Sequence, residues 1–167
     1  EIGYIKKSEL KTFEKDGTFL FGHPVKNRSK GIEFSNGSLG MGLSFGIGCA
    51  IAARLEGSLR CTYVMLGDGE NQEGSIWEAA MAATHHELGN LNVFIDCNGI
   101  QNDDFCEAQM RMFDIPAKWS AFGWAVKVID GHDMNKIVES INWMDTITDK
   151  PAVVIARTVK GKGVSFM

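Results

Sequence analysis

Two short apolar runs, each closed by a polar turn that contains glycine, constrain the fold of this chain more than any other feature. Residues 63–66 lead into Gly67-Asp68-Gly69, and residues 91–95 lead towards Asn98. Between the two runs lies a segment with apolar residues at helical spacing. A strand, a helix and a second strand in this order form a right-handed crossover, which brings both turns to one edge of a parallel sheet. We therefore expect Asp68 and Asn98 to lie close together at that edge.

The rest of the apolar pattern predicts an α/β protein with a doubly wound, mostly parallel sheet flanked by helices. Helices are predicted at residues 8–15, 38–55, 74–88, 116–122 and 134–146, and strands at residues 61–66, 91–95, 125–129 and 152–158. Residues 16–34 are predicted to be a loop, and residues 98–114 are predicted to be irregular. The alternation of helices and strands along the chain is what favours this class.

Several segments carry more detailed expectations. The continuous apolar run that begins at Cys61 predicts a strand covered on both faces. Ser8 is a candidate N-cap for the first helix. In the second helix, Gly42 and Gly46 fall on one face with Ala50, which predicts a close approach of another backbone. Apolar residues all round that helix, Cys49 among them, predict burial. In the last helix, the predicted inner face comprises Ile137, Val138, Ile141 and Met144.

Length and charge exclude several classes of protein. The 167 residues suffice for a single domain, 1–167, with a core of its own. The net charge of -4, without a basic tract, argues against nucleic acid as the main partner. No apolar run reaches the roughly 18 residues of a membrane span, so no membrane segment is expected. Four cysteines without a C-x-x-C pair are typical of reduced thiols in a cytoplasmic protein.

The residues at the predicted sheet edge suit a divalent cation that holds a diphosphate. Mg²⁺ takes oxygen ligands and commonly shares them between carboxylates and phosphates. Asp68 offers a charged oxygen, Asn98 a neutral one, and a backbone carbonyl just past Asn98 a third. Gly67 and Gly69 let the backbone approach phosphates, and the following helix points its N-terminus at the same place. Taken singly, Asp68 would be interpreted as a helix cap and Asn98 as a turn residue, but the pair favours a metal site.

Together these residues resemble a known cofactor motif. Gly67-Asp68-Gly69 is followed, after 28 residues (70–97), by Asn98, as in the thiamine diphosphate motif. From about Leu10 to the last residue, the chain resembles transketolase, and especially the N-terminal subunit of split transketolases. The segments that carry this resemblance are Gly-Asp-Gly-Glu-Asn-Gln-Glu-Gly at 67–74, Trp77-Glu78-Ala79-Ala80, Gly22-His23-Pro24, the turn at 37–42, Phe122-Gly123-Trp124, Asp130-Gly131-His132-Asp133 and the closing residues 158–167.

The resemblance implies a cofactor site for thiamine diphosphate and Mg²⁺, with Ca²⁺ or Mn²⁺ as substitutes for Mg²⁺. Asp68, Asn98 and the carbonyl of Ile100 would bind the metal. The turn of Gly67 and Gly69 would meet the diphosphate. The backbone of Gly37 and Leu39 would line the thiamine.

Two further residues have roles that only the resemblance implies. His23 matches a family histidine near the reacting carbons, although a histidine beside proline often has only a structural role. Glu73 matches the glutamate that links the two cofactor sites across the family's dimer, although its position near a helix start also suits a cap. Asn102 stands where the family usually has an aliphatic residue against the thiazolium ring.

The resemblance also implies a missing partner. The family segments that precede the Gly-His-Pro loop and follow the Gly-Lys-Gly turn are absent, so we expect a domain cut short at both ends. The pyrimidine-binding domain is absent too, which implies that the partner is a C-terminal transketolase subunit, in a dimer or a heterotetramer. The implied reaction transfers a two-carbon ketol unit from a ketose phosphate to an aldose phosphate, as in the pentose phosphate pathway. The alternatives are another thiamine diphosphate-dependent synthase, a 2-oxo acid dehydrogenase subunit, or a non-catalytic cofactor-binding scaffold.

Overall fold

A computed structural model describes residues 3–166, so Glu1, Ile2 and Met167 of the predicted domain lie outside the described residues. The chain divides into two compact units, one ending at Leu39 and the other beginning at Gly40. None of the helices within the described range combines the length and the apolar composition that a bilayer crossing requires.

The first unit contains little regular structure. Its helical parts are two 3₁₀ turns, Glu9–Thr12 and Arg28–Lys30. The predicted helix over residues 8–15 is therefore wrong beyond one turn, and Ser8 makes no side-chain cap hydrogen bond. The helical path ends at Phe13, whose ψ of 128° is extended, and Glu14 follows with a φ of 56° in the left-handed region. The predicted loop at 16–34 is otherwise confirmed.

The second unit contains the sheet. Its strands are β1 (Thr62–Gly67), β2 (Leu91–Cys97), β3 (Ala125–Asp130) and β4 (Ala152–Arg157). Its α-helices are α1 (Met41–Leu55), α2 (Gly74–His85), α3 (Cys106–Gln109), α4 (Ile115–Ala121) and α5 (Met134–Met144). Among the described residues the sheet has four strands in the order β1-β2-β4-β3, and every pairing is parallel. The predicted α/β class is confirmed.

Helices α4 and α5 begin at aspartates that cap them. Asp114 accepts a hydrogen bond from Ala117 N at 2.9 Å, with Pro116 in the first turn, and this begins α4. Asp133 accepts from the backbone N–H of Asn135 and Lys136 at the start of α5. The short helix α3 was not predicted, because residues 98–114 carry no apolar periodicity.

The expectation that β1 is covered on both faces is wrong. The side chains of Tyr63 and Met65 are 48% and 74% exposed, whereas Leu66 is buried. Because successive strand side chains point to opposite faces, one face of β1 packs against α1, whereas the face that carries Tyr63 and Met65 is largely exposed. Cys61 is exposed and precedes the strand, so its predicted burial is also wrong.

At Gly46, helix α1 meets side chains of the sheet rather than another backbone. A Cβ added at Gly46 would lie 2.5 Å from Val64 Cγ2, so the small residue allows α1 to lie close to β1. The predicted burial all round the helix is wrong. Met41 and Phe45 are about half exposed, and Cys49 is exposed.

The core has a cluster on each face of the sheet. The larger cluster joins α1 and α2 to the strands and contains the fully buried Trp119 together with Trp124. The smaller cluster lies under α5 and contains Met144 and Val154. Val138 is 54% exposed, so its predicted place on the inner face of α5 is wrong. The adjacent Ile137 packs there as predicted, because neighbouring helix positions point about 100° apart.

Candidate active site at the carboxyl edge of the sheet

The structure brings Asp68 and Asn98 to one edge of the sheet. Gly67, the last residue of β1, pairs with Asp96 of β2, and Asp68 N donates to Asp96 O at 3.2 Å. Beyond the strands, the Asp68 carboxylate reaches the second turn, where its Oδ2 accepts from Gly99 N at 2.6 Å. The two turns are therefore joined directly through this carboxylate.

Asp68 is a buried carboxylate that has no cationic partner within residues 3–166. It is 4% exposed, and its Oδ1 accepts from Gly69 N at 2.8 Å and from Cys106 Sγ at 3.3 Å. In the described residues it forms no ion pair with Lys, Arg or His. Because a buried charge is costly unless it is paired or coordinates a metal, a cation at this carboxylate would stabilise it.

Two thiols near Asp68 are kept protonated. Burial raises the pKa of Cys106 to about 11, and the hydrogen bond to Asp68 and the charge of that carboxylate act in the same direction. Burial also raises the pKa of Cys97, again with a contribution from the Asp68 charge. Cys106 therefore stays a hydrogen-bond donor to Asp68 at neutral pH.

The cysteines should differ in the rate at which they are alkylated. At about pH 8, iodoacetamide should label the exposed Cys49 and Cys61 first. Cys106 should react about 100-fold more slowly, because a pKa of about 11 instead of 9.0 leaves about 100-fold less thiolate. Peptide mass spectrometry over time measures the rates, and in denaturant all four cysteines should react alike. Labelling of Cys106 as fast as Cys49 in the native chain would contradict this prediction.

Asn98 has its amide held from two sides. Its Nδ2 donates to Asp96 Oδ2 at 3.0 Å, and its Oδ1 accepts from Ile100 N at 3.0 Å. Gly99 between them has a φ of 78°, a left-handed conformation that favours glycine. The turn thus places a neutral amide oxygen and the Ile100 peptide beside the Asp68 carboxylate.

The oxygen atoms at this edge fit a hard divalent cation. A carboxylate, an amide oxygen and a main-chain carbonyl are ligands of the kind that Mg²⁺ and Ca²⁺ take in proteins. Within residues 3–166 no three His, Cys, Asp and Glu side chains cluster as metal ligands, so a cation here would depend on amide, carbonyl and ligand oxygens. A cavity of about 180 Å³ borders Asp68, Gly99 and Cys106. The metal-binding roles of Asp68, Asn98 and Ile100 stay predictions.

The glycines of the first turn differ in their constraints. A Cβ added at Gly69 would lie 2.9 Å from the side chain of Gln101, so the two turns approach closely at Gly69. A Cβ at Gly67 would make only ordinary contacts, with Glu70. The cofactor-binding roles of both glycines stay predictions.

Sequence reasoning missed Glu70. Its Oε2 accepts from Gly67 N at 3.1 Å and its Oε1 accepts from Gly40 N at 2.8 Å. The carboxylate thereby ties the end of β1 to Gly40, the N-cap residue of α1. Gly40 itself has a φ of 81°, and a Cβ there would lie 2.9 Å from Glu73 Cβ. An acidic residue inside the motif was the available signal, but its partner at Gly40 lies 30 residues away.

Asn71 was also missed, and it connects the turn to the core. It is fully buried, its Nδ2 donates to Gly67 O at 2.7 Å, and its Oδ1 accepts from Trp119 Nε1 at 2.9 Å. Its own carbonyl accepts from Trp77 Nε1 at 2.9 Å. The sequence gives no signal for this arrangement, since Trp119 is 48 residues away.

Glu73 is the N-cap residue of α2, but its side chain makes no cap hydrogen bond and is exposed. The interpretation of Glu73 as a helix cap therefore has no hydrogen bond to support it. The carboxylate is free to meet a group outside the described residues, and its linking role stays a prediction.

The other predicted residues lie in the first unit. His23 is exposed, and Gly37 lies against its ring, since a Cβ at Gly37 would be 2.9 Å from His23 Cδ2. Leu39 is 60% exposed. The structure thus brings His23 and Gly37 together within this unit, and their predicted roles are untested, as is that of Leu39.

Comparison with known proteins assigns the chain by sequence. The family model described as "Transketolase, thiamine diphosphate binding domain" matches residues 2–166. The chain is 41% identical over 167 residues to an apulose-4-phosphate transketolase subunit of Actinobacillus succinogenes, covering 100% of this chain and 60% of that protein. It is 38% identical over 164 residues to the 6-deoxy-6-sulfo-D-fructose transketolase subunit SqwG of Clostridium sp., covering 98% of this chain and 60% of that protein.

Solved structures agree with this assignment. A transketolase from Pichia stipitis, crystallised with xylulose 5-phosphate, superposes with a TM-score of 0.87 at 34% identity, covering 96% of this chain and 26% of that one. The transketolase of Campylobacter jejuni superposes with a TM-score of 0.85 at 30% identity, covering 94% and 26%. The chain therefore spans about 60% of the length of its subunit relatives and about a quarter of the full-length enzymes.

Proposed function

The chain belongs to the transketolase family and carries its thiamine diphosphate-binding domain, and from this we propose that it anchors the cofactor's diphosphate through a divalent cation and acts in ketol transfer with a partner subunit. The observation that carries the proposal is the buried Asp68, which lacks a cationic partner among the described residues and lies beside the fixed amide of Asn98. Mg²⁺ is the proposed cation, and Ca²⁺ or Mn²⁺ could replace it.

Each part of the chain has a distinct task in this proposal. When bound, thiamine diphosphate supplies the electron sink that lets a carbon–carbon bond break. Asp68, Asn98 and the Ile100 carbonyl hold the cation. The backbone at Gly67 and Gly69 approaches the diphosphate closely.

The remaining predicted residues would act away from the metal. Gly37 and Leu39 line the thiamine through their backbone. His23, which is exposed, contacts the substrate near the reacting carbons. Glu73, whose exposed carboxylate makes no cap hydrogen bond, links the two cofactor sites of the assembly.

The names of the relatives support a partner subunit. Two of them are called transketolase subunits, and the chain covers 60% of each. We propose a partner that carries the pyrimidine-binding domain, in a dimer or a heterotetramer. The assembly would act in the cytoplasm on a ketose phosphate donor and an aldose phosphate acceptor. The names of the subunit relatives favour less common sugars as substrates, in addition to the sugars of the pentose phosphate pathway.

Reconstitution tests the proposal. The chain, its partner subunit, Mg²⁺ and thiamine diphosphate are mixed with xylulose 5-phosphate and ribose 5-phosphate, and with apulose 4-phosphate as a second donor. We expect ketol transfer from at least one donor only when both subunits and the cofactor are present. Omission of either subunit is the control.

Binding without turnover would decide against ketol transfer. If calorimetry shows that the reconstituted assembly binds thiamine diphosphate but no sugar phosphate reacts, the transketolase activity is refuted. A thiamine diphosphate-dependent synthase, a 2-oxo acid dehydrogenase subunit or a cofactor-binding scaffold would then account for the site. Turnover of a 2-oxo acid in the same assembly would separate the enzymes from the scaffold.

A further inference from the structure

Two motifs of the sequence, at residues 130–133 and from Thr158 onwards, meet near the end of β2. Thr158 follows β4, and its N–H donates to Cys97 O at 3.2 Å while its hydroxyl donates to Asp96 Oδ1. The next residue, Val159, donates its N–H to His132 Nε2 at 2.8 Å. The turn at 130–133 and the closing segment that begins at Thr158 therefore contact each other beside the carboxyl edge of the sheet.

Asp96 connects Thr158 to Asn98. One carboxylate oxygen takes the Thr158 hydroxyl, and the other accepts from Asn98 Nδ2 at 3.0 Å. Asp96 is half-buried and forms no ion pair among the described residues. Both of its oxygens are thus occupied by neutral donors, one from the residue after β4 and one from the turn after β2.

These contacts leave the Asn98 amide one orientation. An ionised carboxylate only accepts hydrogen bonds, so the amide nitrogen must face Asp96. The N–H of Ile100 only donates, so the amide oxygen must face Ile100. A flipped amide would lose both hydrogen bonds and would put its NH₂ group where its oxygen now lies.

We infer that Asp96, held in place by Thr158, is a positioning residue that fixes the Asn98 amide with its oxygen available to the divalent cation. This inference rests on the proposed function, because it concerns the same cation. Groups that orient a metal ligand in this way typically change metal affinity by about 10–100-fold when they are removed.

Four variants test the inference in the assembly of the chain with its partner subunit. Asp96→Ala removes the acceptor, whereas Asp96→Asn keeps an oxygen for Asn98 and an NH₂ group for the Thr158 hydroxyl. Thr158→Val removes the hydroxyl at nearly constant shape, whereas Thr158→Ser keeps it. Isothermal calorimetry measures Mg²⁺ affinity at saturating thiamine diphosphate, and thermal unfolding without Mg²⁺ shows whether each variant folds.

We expect Asp96→Ala to weaken Mg²⁺ binding about 10–100-fold and Asp96→Asn to stay within about threefold of the native chain. Thr158→Val should weaken binding about 3–10-fold, with Thr158→Ser close to native. Native affinity in folded Asp96→Ala, or equal losses in Asp96→Ala and Asp96→Asn, would overturn the inference. If Asp96→Ala fails to fold, the comparison of Thr158→Val with Thr158→Ser tests the inference. Native Mg²⁺ affinity in Thr158→Val would then overturn the inference. Absence of Mg²⁺-dependent binding in the native assembly would instead refute the proposed function.

Discussion

Replacing Asp68 with alanine should weaken binding of thiamine diphosphate in the presence of Mg²⁺ by about 100-fold or more. The change removes the charged oxygen from the proposed metal site, and loss of a ligand costs at least as much as loss of a residue that orients one. It also leaves the N–H groups of Gly69 and Gly99 without their acceptor. Calorimetric titration of the reconstituted assembly with the cofactor, with and without Mg²⁺, measures the effect.

Asp103→Ala is the matched control for this experiment. Asp103 is an exposed carboxylate in the turn after Asn98, and its side chain contacts only Asn102 among the described residues. The variant makes the same change of charge and should leave cofactor affinity within about twofold, since exposed charges contribute little. Native Mg²⁺-dependent affinity in a folded Asp68→Ala variant would refute the metal assignment of Asp68.

Asn71→Ala should reduce the free energy of unfolding by about 2–4 kcal/mol. The part-buried Gly67 carbonyl loses its donor and the buried Trp119 indole loses its acceptor, and an unsatisfied buried group costs about 1–3 kcal/mol. Denaturant unfolding followed by tryptophan fluorescence measures the change.

The neighbouring amide provides the comparison. Gln72 donates one exposed hydrogen bond, to Met110 O at 2.8 Å. Gln72→Ala should cost less than about 1 kcal/mol, since water can replace that bond. Equal losses in the two variants would show that Asn71 does not connect the turn to the core in the way described.

The position of the Asp68–Asn98 pair could be predicted because it depends on local patterns. Each residue follows an apolar run, and the crossover rule brings the ends of successive parallel strands to one edge. The resemblance to transketolase, confirmed by the family match, then named the cofactor. Neither step needs knowledge of distant contacts.

The residues that hold Asp68 and Asn98 in place could not be predicted, because they depend on distant contacts. Thr158 and Asp96 are 62 residues apart, and Asn71 and Trp119 are 48 apart. Partners at such distances are set by strand order and helix packing. No periodicity in a single sequence encodes which polar side chain a buried indole will meet.

The errors in the fold have a similar origin. An apolar run has the same composition whether one or both faces of its strand are covered, so the exposure of Tyr63 and Met65 was not predictable. Ser8 is a good N-cap by residue type, but none of the residues of the turn that follows it is buried, so no packing extends the helix.

We expect the position of β1 at the edge of the sheet to influence aggregation of this chain. Among the described residues β1 pairs only with β2, so the main-chain groups along its other side have no partner strand. The strand carries no charged side chain, and it exposes Tyr63 and Met65 on one face. Unprotected edges of this kind act as templates for strand addition between molecules, and natural proteins commonly block them with lysine. Aggregation at high concentration should therefore begin at β1, and Met65→Lys is the substitution that would suppress it with least disturbance of the core.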